Sequence, residues 1–135
     1  MSKRTPKTVP RFQTPIIETH CHLDYLAQDT IADELQAITE AGVERIVTIA
    51  VSADNLKTVL SLCNQHEHIW GTQGIHPHEA SSWTPSVAQA VAQGASHPKV
   101  VAIGEIGLDY YYEHASPQSQ IAAFEAQLSL AAERD

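Results

Sequence analysis

The sequence is poor in cysteine, in aromatic residues and in basic residues. Cysteine accounts for 2 of the 135 residues, too few for a disulfide scaffold, and 6% of the residues are aromatic. Lysine and arginine together number 8 against 16 acidic residues, which gives a formal net charge of −8. Such a chain does not hold nucleic acid by bulk charge, although a bound metal ion can supply positive charge locally.

Long hydrophobic runs are also missing from the sequence. No apolar stretch approaches the roughly 18 residues of a membrane span, and no apolar core of a secretory signal follows the start. We therefore expect a cytoplasmic protein without membrane contact. Hydrophobic residues still make up 43% of the chain, which is enough for the core of one ordinary domain.

Basic charge is concentrated at the start of the chain. Half of the lysines and arginines lie within the first 11 positions, and no acidic residue precedes Glu18. We predict a flexible basic leader over 1–14 and a folded unit over 15–135. A nucleic-acid-binding arm is the alternative interpretation of the leader.

The rest of the sequence alternates between apolar runs and amphipathic stretches. Alternation of strands with helices is typical of parallel βα units. Two α/β architectures fit: a small doubly wound sheet, or the N-terminal half, about four βα units, of a TIM-type (β/α)8 barrel. Strands are predicted at 15–19, 43–51, 69–75 and 99–107, and helices at 30–41, 54–66, 85–95 and from Pro117 onward.

Capping signals and apolar spacing define the helices further. Thr30 is a candidate N-cap of the first helix, Ser52 or Asp54 of the second and Ser116 of the last, and Gly42 ends the first. On the last helix, apolar residues at helical spacing predict the buried face: Ile121, Phe124, Leu128 and Ala131.

Polar residues gather just after the predicted strands, and this favours the half barrel. The carboxyl ends of barrel strands share one rim, where active sites are built. The first and last strands of a half barrel would lack partners, so we expect self-association through unpaired strand edges. The residues at the predicted rim are Glu18, His20, His22, Ser52, His76, His78, Glu105 and Asp109.

His20, Cys21 and His22 form the strongest single feature. Side chains alternate along a strand, so the two imidazoles point to the same side and could bind one divalent metal ion. Asp24 could hydrogen-bond one of these ligands. An H-x-H pair alone is a weak motif, and a pair of ordinary polar loop histidines is the alternative.

Glu105 is predicted to lie inside an apolar strand, between Gly104 and Ile106. A carboxylate is costly there unless it is paired or bound to metal. A metal ligand is one interpretation, and a salt-bridged core acid is the other.

Other polar and aromatic residues suit substrate contact. His76 and His78 follow a strand, while Asp109 and Tyr110 lie on the loop after Glu105, and all four are candidate substrate-binding residues. Solvated loop histidines and aromatic packing over the rim are the alternatives. A second H-x-H pair, residues 66–68, is predicted to be structural because it lies at a helix end.

Four motifs then occur in a recognisable order. They are E-T-H-C-H-L-D at 18–24, G-I-H-P-H-E at 74–79, G-E-I-G-L-D-Y-Y at 104–111 and Q-x-x-x-F-x-x-Q-L-x-L-A at 120–131. With this set the sequence resembles the TatD family of metal-dependent hydrolases, within the amidohydrolase superfamily.

The resemblance implies a chemistry and a site. It implies a βα barrel with one or two divalent ions, in which His20 and His22 are the first ligands and Glu105 is the catalytic acid that binds the metal. The implied reaction is hydrolysis of phosphodiester bonds of DNA by a metal-activated water. The ligand types suit zinc, manganese or iron, and magnesium less well.

The resemblance also implies that this chain is the N-terminal half of such an enzyme. Family members are about twice this long, as complete barrels are. They supply two more histidines and an aspartate after later strands, so this chain alone carries a partial site. Two alternatives stay open: a related amidohydrolase acting on another ester or amide, and a non-catalytic half-barrel remnant.

Overall fold

Strands and helices alternate through the part of the chain that the computed structural model describes, residues 11–27 and 29–134. Most of the predicted 1–14 leader lies outside these residues, so the leader stays a prediction. The strands are β1 (Ile16–Cys21), β2 (Val43–Thr48), β3 (Ile69–Gln73) and β4 (Val100–Ile103), and the helices are α1 (Ile31–Glu40), α2 (Leu56–Gln65), α3 (Pro85–Gly94) and α4 (Pro117–Ala132). Short 3-10 turns span Leu23–Tyr25 and Pro77–Ser82.

The four strands form one parallel sheet in the order β1-β2-β3-β4. Each strand therefore pairs with its neighbour in sequence. In a doubly wound sheet, the order of the strands would instead reverse at a switch point. The α/β fold class is confirmed, and the sheet order matches half of a (β/α)8 barrel.

The core lies where α1, α2 and α3 pack on the sheet. Its buried side chains are mostly aliphatic, and α2 contributes the largest share of them. Truncating one of the larger ones, such as Leu62, to alanine would cost about 2–5 kcal/mol, because a cavity would remain. Central members of this core are Ile46, Val59, Leu62, Ile69 and Val91.

Three predicted strands are longer than the observed ones, and β3 ends at Gln73 rather than at 75. β2 ends at Thr48 rather than at 51, and its early residues Glu44 and Arg45 are exposed, whereas the run of β-branched residues predicts a strand buried on both faces. β4 ends at Ile103 rather than at 107. Beyond it the Gly104 N–H donates to the Gln73 carbonyl and the Glu105 N–H to the Ala50 carbonyl. Glu105 therefore follows the strand instead of lying inside it.

Ser116 and Thr30 both occupy the predicted N-cap positions but only Ser116 caps with its side chain, and the prediction for α2 is wrong. Ser116 caps α4, because its Oγ accepts from the Ser119 N–H at 3.1 Å. The Thr30 hydroxyl instead donates to the Ala27 carbonyl, and α1 has no side-chain cap.

Asn55, not Ser52 or Asp54, precedes α2, and its Oδ1 accepts from two N–H groups of the preceding loop. Gly42, with φ +99°, follows α1 as expected.

The buried face of α4 differs from the predicted apolar stripe. Ile121 and Leu128 are 41% and 46% exposed. The residues of α4 that are fully buried are Gln120, Ala123 and Gln127. On this inner face the two glutamine amides accept hydrogen bonds from backbone N–H groups of neighbouring loops.

β1 and β4 are the edge strands of the described sheet, and each has one partner. Ile17 on β1 and Val101 on β4 are each 55% exposed. Among the described residues, none of the helices has the length and apolar character needed to cross a membrane.

Candidate metal centre

The carboxyl ends of the strands bring the predicted site residues together. His20 lies near the end of β1, His22 just beyond it, and His76 follows β3. The His76 N–H donates to the Val51 carbonyl and the Glu105 N–H to the Ala50 carbonyl, each at 2.8 Å. Both loops are therefore held over the end of β2.

Gly74 allows the loops after β3 and β4 to touch. A Cβ at this position would lie 2.6 Å from the carbonyl carbon of Gly104, so a larger residue would force the two backbones apart. The close approach leaves the His76 Nε2 3.4 Å from the Glu105 Oε1.

Strand alternation separates the two imidazoles from the thiol between them. The Cys21 Sγ donates to the Val47 carbonyl, within the sheet. Burial, with added repulsion from Glu18 and Asp24, raises the pKa of this thiol to about 11. The ring centroids of His20 and His22 lie 5.4 Å apart on the other side.

His20, His22 and Glu105 form a group that could hold a metal ion. Each offers one donor atom, and these atoms lie within 4.8 Å of one another. The His20 Nε2 is 3.4 Å from the Glu105 Oε2. The His22 Nδ1 is buried and has no hydrogen-bond partner among the described residues. A buried polar atom without a partner is costly, and imidazole with carboxylate is a common donor set for transition metals, so the residues fit a cation.

Asp24 bonds to Asn55 and not, as the sequence predicts, to one of the two candidate metal-ligand histidines. Its Oδ2 accepts from the Asn55 Nδ2 at 3.0 Å, which links the loop after β1 to the start of α2. The next residue, Tyr25, stacks on the His22 ring at a centroid distance of 4.9 Å. Tyr25 is a site residue that the sequence reasoning missed, and its position three residues after His22 was the available signal.

His76, His78 and Asp109 form a hydrogen-bonded chain beside the metal group. The His78 N–H donates to the His76 Nδ1 at 3.0 Å, so the proton of a neutral His76 lies on Nε2, facing Glu105. Burial lowers the pKa of His76 in spite of the nearby Glu105 carboxylate, which acts in the opposite direction. The imidazole is therefore neutral at neutral pH. A neutral His76 in this tautomer is a donor at Nε2 rather than a metal ligand.

Asp109 stands behind His78. Its Oδ2 lies 2.6 Å from the His78 Nε2, and its Oδ1 accepts from the N–H groups of Tyr111 and Tyr112. The hydrogen bond from His78, followed by that from the Tyr112 N–H, lowers the pKa of Asp109. The carboxylate is therefore ionised at neutral pH, and the His78 Nε2–H is its donor.

An open cavity of about 310 Å³ lies over these side chains. Asp109 and Tyr110, which the sequence predicts to bind substrate, do not line it. Glu79 and Val51 do, and the sequence reasoning missed both. The lining residues are His20, His22, Tyr25, Val51, His76, His78, Glu79 and Glu105.

The second H-x-H pair, His66 and His68, lies at the opposite end of the sheet. His66 follows α2, and both residues precede β3. The Lys99 ammonium donates to the Cys63 and His66 carbonyls at 2.6 and 2.5 Å. The pair thus belongs to a helix end, and no metal-binding group among the described residues includes it.

Parallel βα units with two histidines and a glutamate at the carboxyl ends of the strands define the class of protein, a βα-barrel fold with a candidate metal centre at its rim. The sequence pattern of the family described as "TatD related DNase" matches residues 17–135, and the chain belongs to this family.

Curated relatives support the assignment. A protein from Salmonella typhimurium described as "3'-5' ssDNA/RNA exonuclease TatD" is 41% identical over 93 residues, covering 69% of this chain and 36% of the relative. One of the same description from Musicola paradisiaca is 53% identical over 66 residues, covering 49% of this chain and 25% of the relative. The chain thus matches between a quarter and little more than a third of the length of these relatives.

Solved structures agree on the fold. A TatD homologue from Escherichia coli K12 superposes with a TM-score of 0.73 at 32% identity, over 85% of this chain and 46% of that one. A TatD family hydrolase from Entamoeba histolytica superposes with a TM-score of 0.79 at 20% identity, over 89% and 46% of the two chains. The latter likeness concerns the fold alone.

Proposed function

We propose that the protein is a metal-dependent hydrolase that cleaves phosphodiester bonds of DNA. The observation that carries this proposal is the convergence of His20, His22 and Glu105, whose donor atoms lie within 4.8 Å of one another. The description of the relatives as exonucleases of single-stranded DNA and RNA supports the substrate class.

His20, His22 and Glu105 would hold a divalent ion, with Glu105 at the reacting centre. Two imidazoles and a carboxylate suit zinc, manganese or iron better than magnesium, which keeps water ligands. When bound, such an ion supplies positive charge to a phosphate and lowers the pKa of a water molecule. The Glu105 Oε1 faces His76 at 3.4 Å, so this oxygen is available to a second ion or to a proton from His76.

The neighbouring residues would bind the substrate. The His76 Nε2–H can donate to a phosphate oxygen, and His78 is turned toward Asp109. Tyr25 beside His22 and Tyr112 beside His78 present rings on which bases can stack, and Tyr110 lies half-exposed on the same loop.

Titration and turnover on the same chain test this proposal. Zn²⁺ or Mn²⁺ should bind to the wild type, and loaded protein should cleave a fluorescent single-stranded DNA faster than a small ester. Glu105→Gln should remove both effects, and His68→Gln should leave both unchanged. Faster cleavage of the ester would instead favour a different amidohydrolase, and metal binding without turnover a non-catalytic half barrel.

We also propose that a second copy of the chain pairs with the exposed edges of β1 and β4. Unpaired edge strands carry free backbone donors and acceptors, and Ile17 and Val101 are exposed beside them. Light scattering after gel filtration should find a dimer that Val101→Lys dissociates and Leu128→Lys, on α4, does not. A monomer at all concentrations would overturn this proposal.

We propose a cytoplasmic location as well. Cys21 and Cys63 are free thiols, as a reducing compartment would leave them. Cell fractionation followed by immunodetection tests the location, and recovery outside the cytoplasm would contradict it.

A further inference from the structure

α4 buries two glutamines on its inner face, where apolar side chains are the usual occupants. Gln120 and Gln127 are each 1% exposed, whereas Ile121 and Leu128 of the same helix remain exposed. Burying an amide is unfavourable unless hydrogen bonds compensate for its lost hydration. The partners of these two side chains therefore indicate why glutamine occupies the inner face.

Gln127 holds the loop after β3. Its Oε1 accepts from the Ile75 N–H at 2.7 Å, and its Nε2 donates to the Ile75 carbonyl at 3.2 Å and to the Ala123 carbonyl at 3.1 Å. Both backbone groups of Ile75 are thus bound by one side chain. The next residue along the chain is His76.

Gln120 holds the loop after β4 in the same way. Its Oε1 accepts from the Asp109 N–H at 2.7 Å, and its Nε2 donates to the Asp109 carbonyl at 2.9 Å and the Ala115 carbonyl at 3.0 Å. The side chain of this same Asp109 accepts the hydrogen bond of His78. One helix therefore fixes both ends of the chain of contacts from His76 through His78 to Asp109.

We propose that Gln120 and Gln127 are positioning residues, which set the His76 and His78 rings by clamping the backbones of Ile75 and Asp109 to α4. The inference rests on the proposed function, since it gives these rings a role at the site. Neither glutamine lines the cavity, so both act through the histidines.

The His78 Nε2–H proton reports this geometry without metal or nucleic acid. In the wild type, the 2.6 Å contact with Asp109 should give a downfield proton resonance that exchanges slowly with water. In Gln120→Met, which keeps the length and packing of the side chain, exchange should be at least about tenfold faster and the resonance should move upfield. Gln118→Met, on the exposed face of α4, should match the wild type.

A merely structural role predicts a different outcome. Gln120→Met would then melt at a lower temperature but keep the wild-type His78 resonance and exchange rate while folded, and that result would overturn the proposal. If Gln120→Met does not fold, Gln120→Glu takes its place, because the carboxylate keeps the acceptor and loses both donor contacts. Failure of both variants to fold would make Gln120 a folding residue and also overturn the proposal.

The same comparison applies to Gln127. In Gln127→Met, the ¹⁵N shift of the His76 Nδ1 should lose the signature of an accepted hydrogen bond, and Gln118→Met should retain it. An unchanged His76 nitrogen in folded Gln127→Met would remove Gln127 from the proposal. These readouts stand apart from nuclease activity, so a failed turnover assay leaves them interpretable.

Discussion

The two H-x-H pairs have the same spacing but lie at opposite ends of one parallel sheet. His20 and His22 meet Glu105 at the carboxyl ends of the strands. His66 and His68 lie between the end of α2 and the start of β3, beside the Lys99 ammonium. Whether a histidine pair is a candidate metal site therefore depends on the side chain that the fold places beside it. The Glu105 carboxylate completes a metal-binding group with the first pair, whereas the Lys99 ammonium lies beside the second pair and would repel a metal cation.

The largest expected effect that sharpens this contrast is at Glu105. Glu105→Gln removes the charged oxygen ligand, and we expect metal affinity to fall by at least about 100-fold, beyond the loss typical of an outer contact. Isothermal titration of the chain with Zn²⁺ measures the change. His68→Gln is the control, and near-normal affinity in Glu105→Gln would remove the carboxylate from the site.

Lys99 should show the reverse behaviour, with an effect on stability and none on metal binding. Its ammonium donates to the Cys63 and His66 carbonyls at the end of α2 and lies 5.9 Å from the centroid of the Trp70 ring. Lys99→Met should lower the free energy of unfolding by about 2 kcal/mol, because charged hydrogen bonds at a helix C-terminus are lost.

Urea unfolding measures this loss, with Lys57→Met on α2 as the control. An unchanged midpoint in Lys99→Met would mean that the carbonyls find water instead. A fall in Zn²⁺ affinity would contradict the separation between the two ends of the sheet.

Asp109 should make the carboxyl end of the sheet sensitive to acid. The hydrogen bond from His78 lowers the folded-state pKa of Asp109 below its unfolded value of about 3.9. Its stabilising contribution is therefore fully present above that value and is lost as the pH falls through the lowered folded-state pKa. The difference in unfolding free energy between wild type and Asp109→Asn should be larger at pH 6 than at pH 3.

Chemical unfolding at several pH values measures this difference, with Asp33→Asn on α1 as the control. A gap that is constant with pH would show that the ionised carboxylate is not what stabilises the loop.

The sequence predicts the parallel alternation and the rim residues because hydrophobic periodicity and strand order determine them locally. It overextends β4 to 107, since the apolar run continues past Ile103 while the Glu105 N–H turns to bond the Ala50 carbonyl in the loop after β2. It misassigns the inner face of α4, because a search for apolar periodicity places polar side chains outside. Two glutamines lie inside instead, where they bond the backbones of neighbouring loops. The partner of Asp24 depends on a contact between distant segments, which spacing along the chain does not encode. Tyr25 is a local neighbour of His22, and the sequence reasoning did not use that spacing.

The smallest expected effect is at the second histidine pair. His66 contributes its backbone carbonyl to Lys99, and alanine retains that carbonyl, while His68 is exposed. His66→Ala and His68→Ala should therefore each change the free energy of unfolding by no more than about 0.5 kcal/mol and leave Zn²⁺ affinity within about twofold. Thermal melts and titrations of both variants test this. A loss of Zn²⁺ affinity in either variant would mean that the H-x-H spacing alone suffices for metal binding. The contrast between the two ends of the sheet would then be wrong.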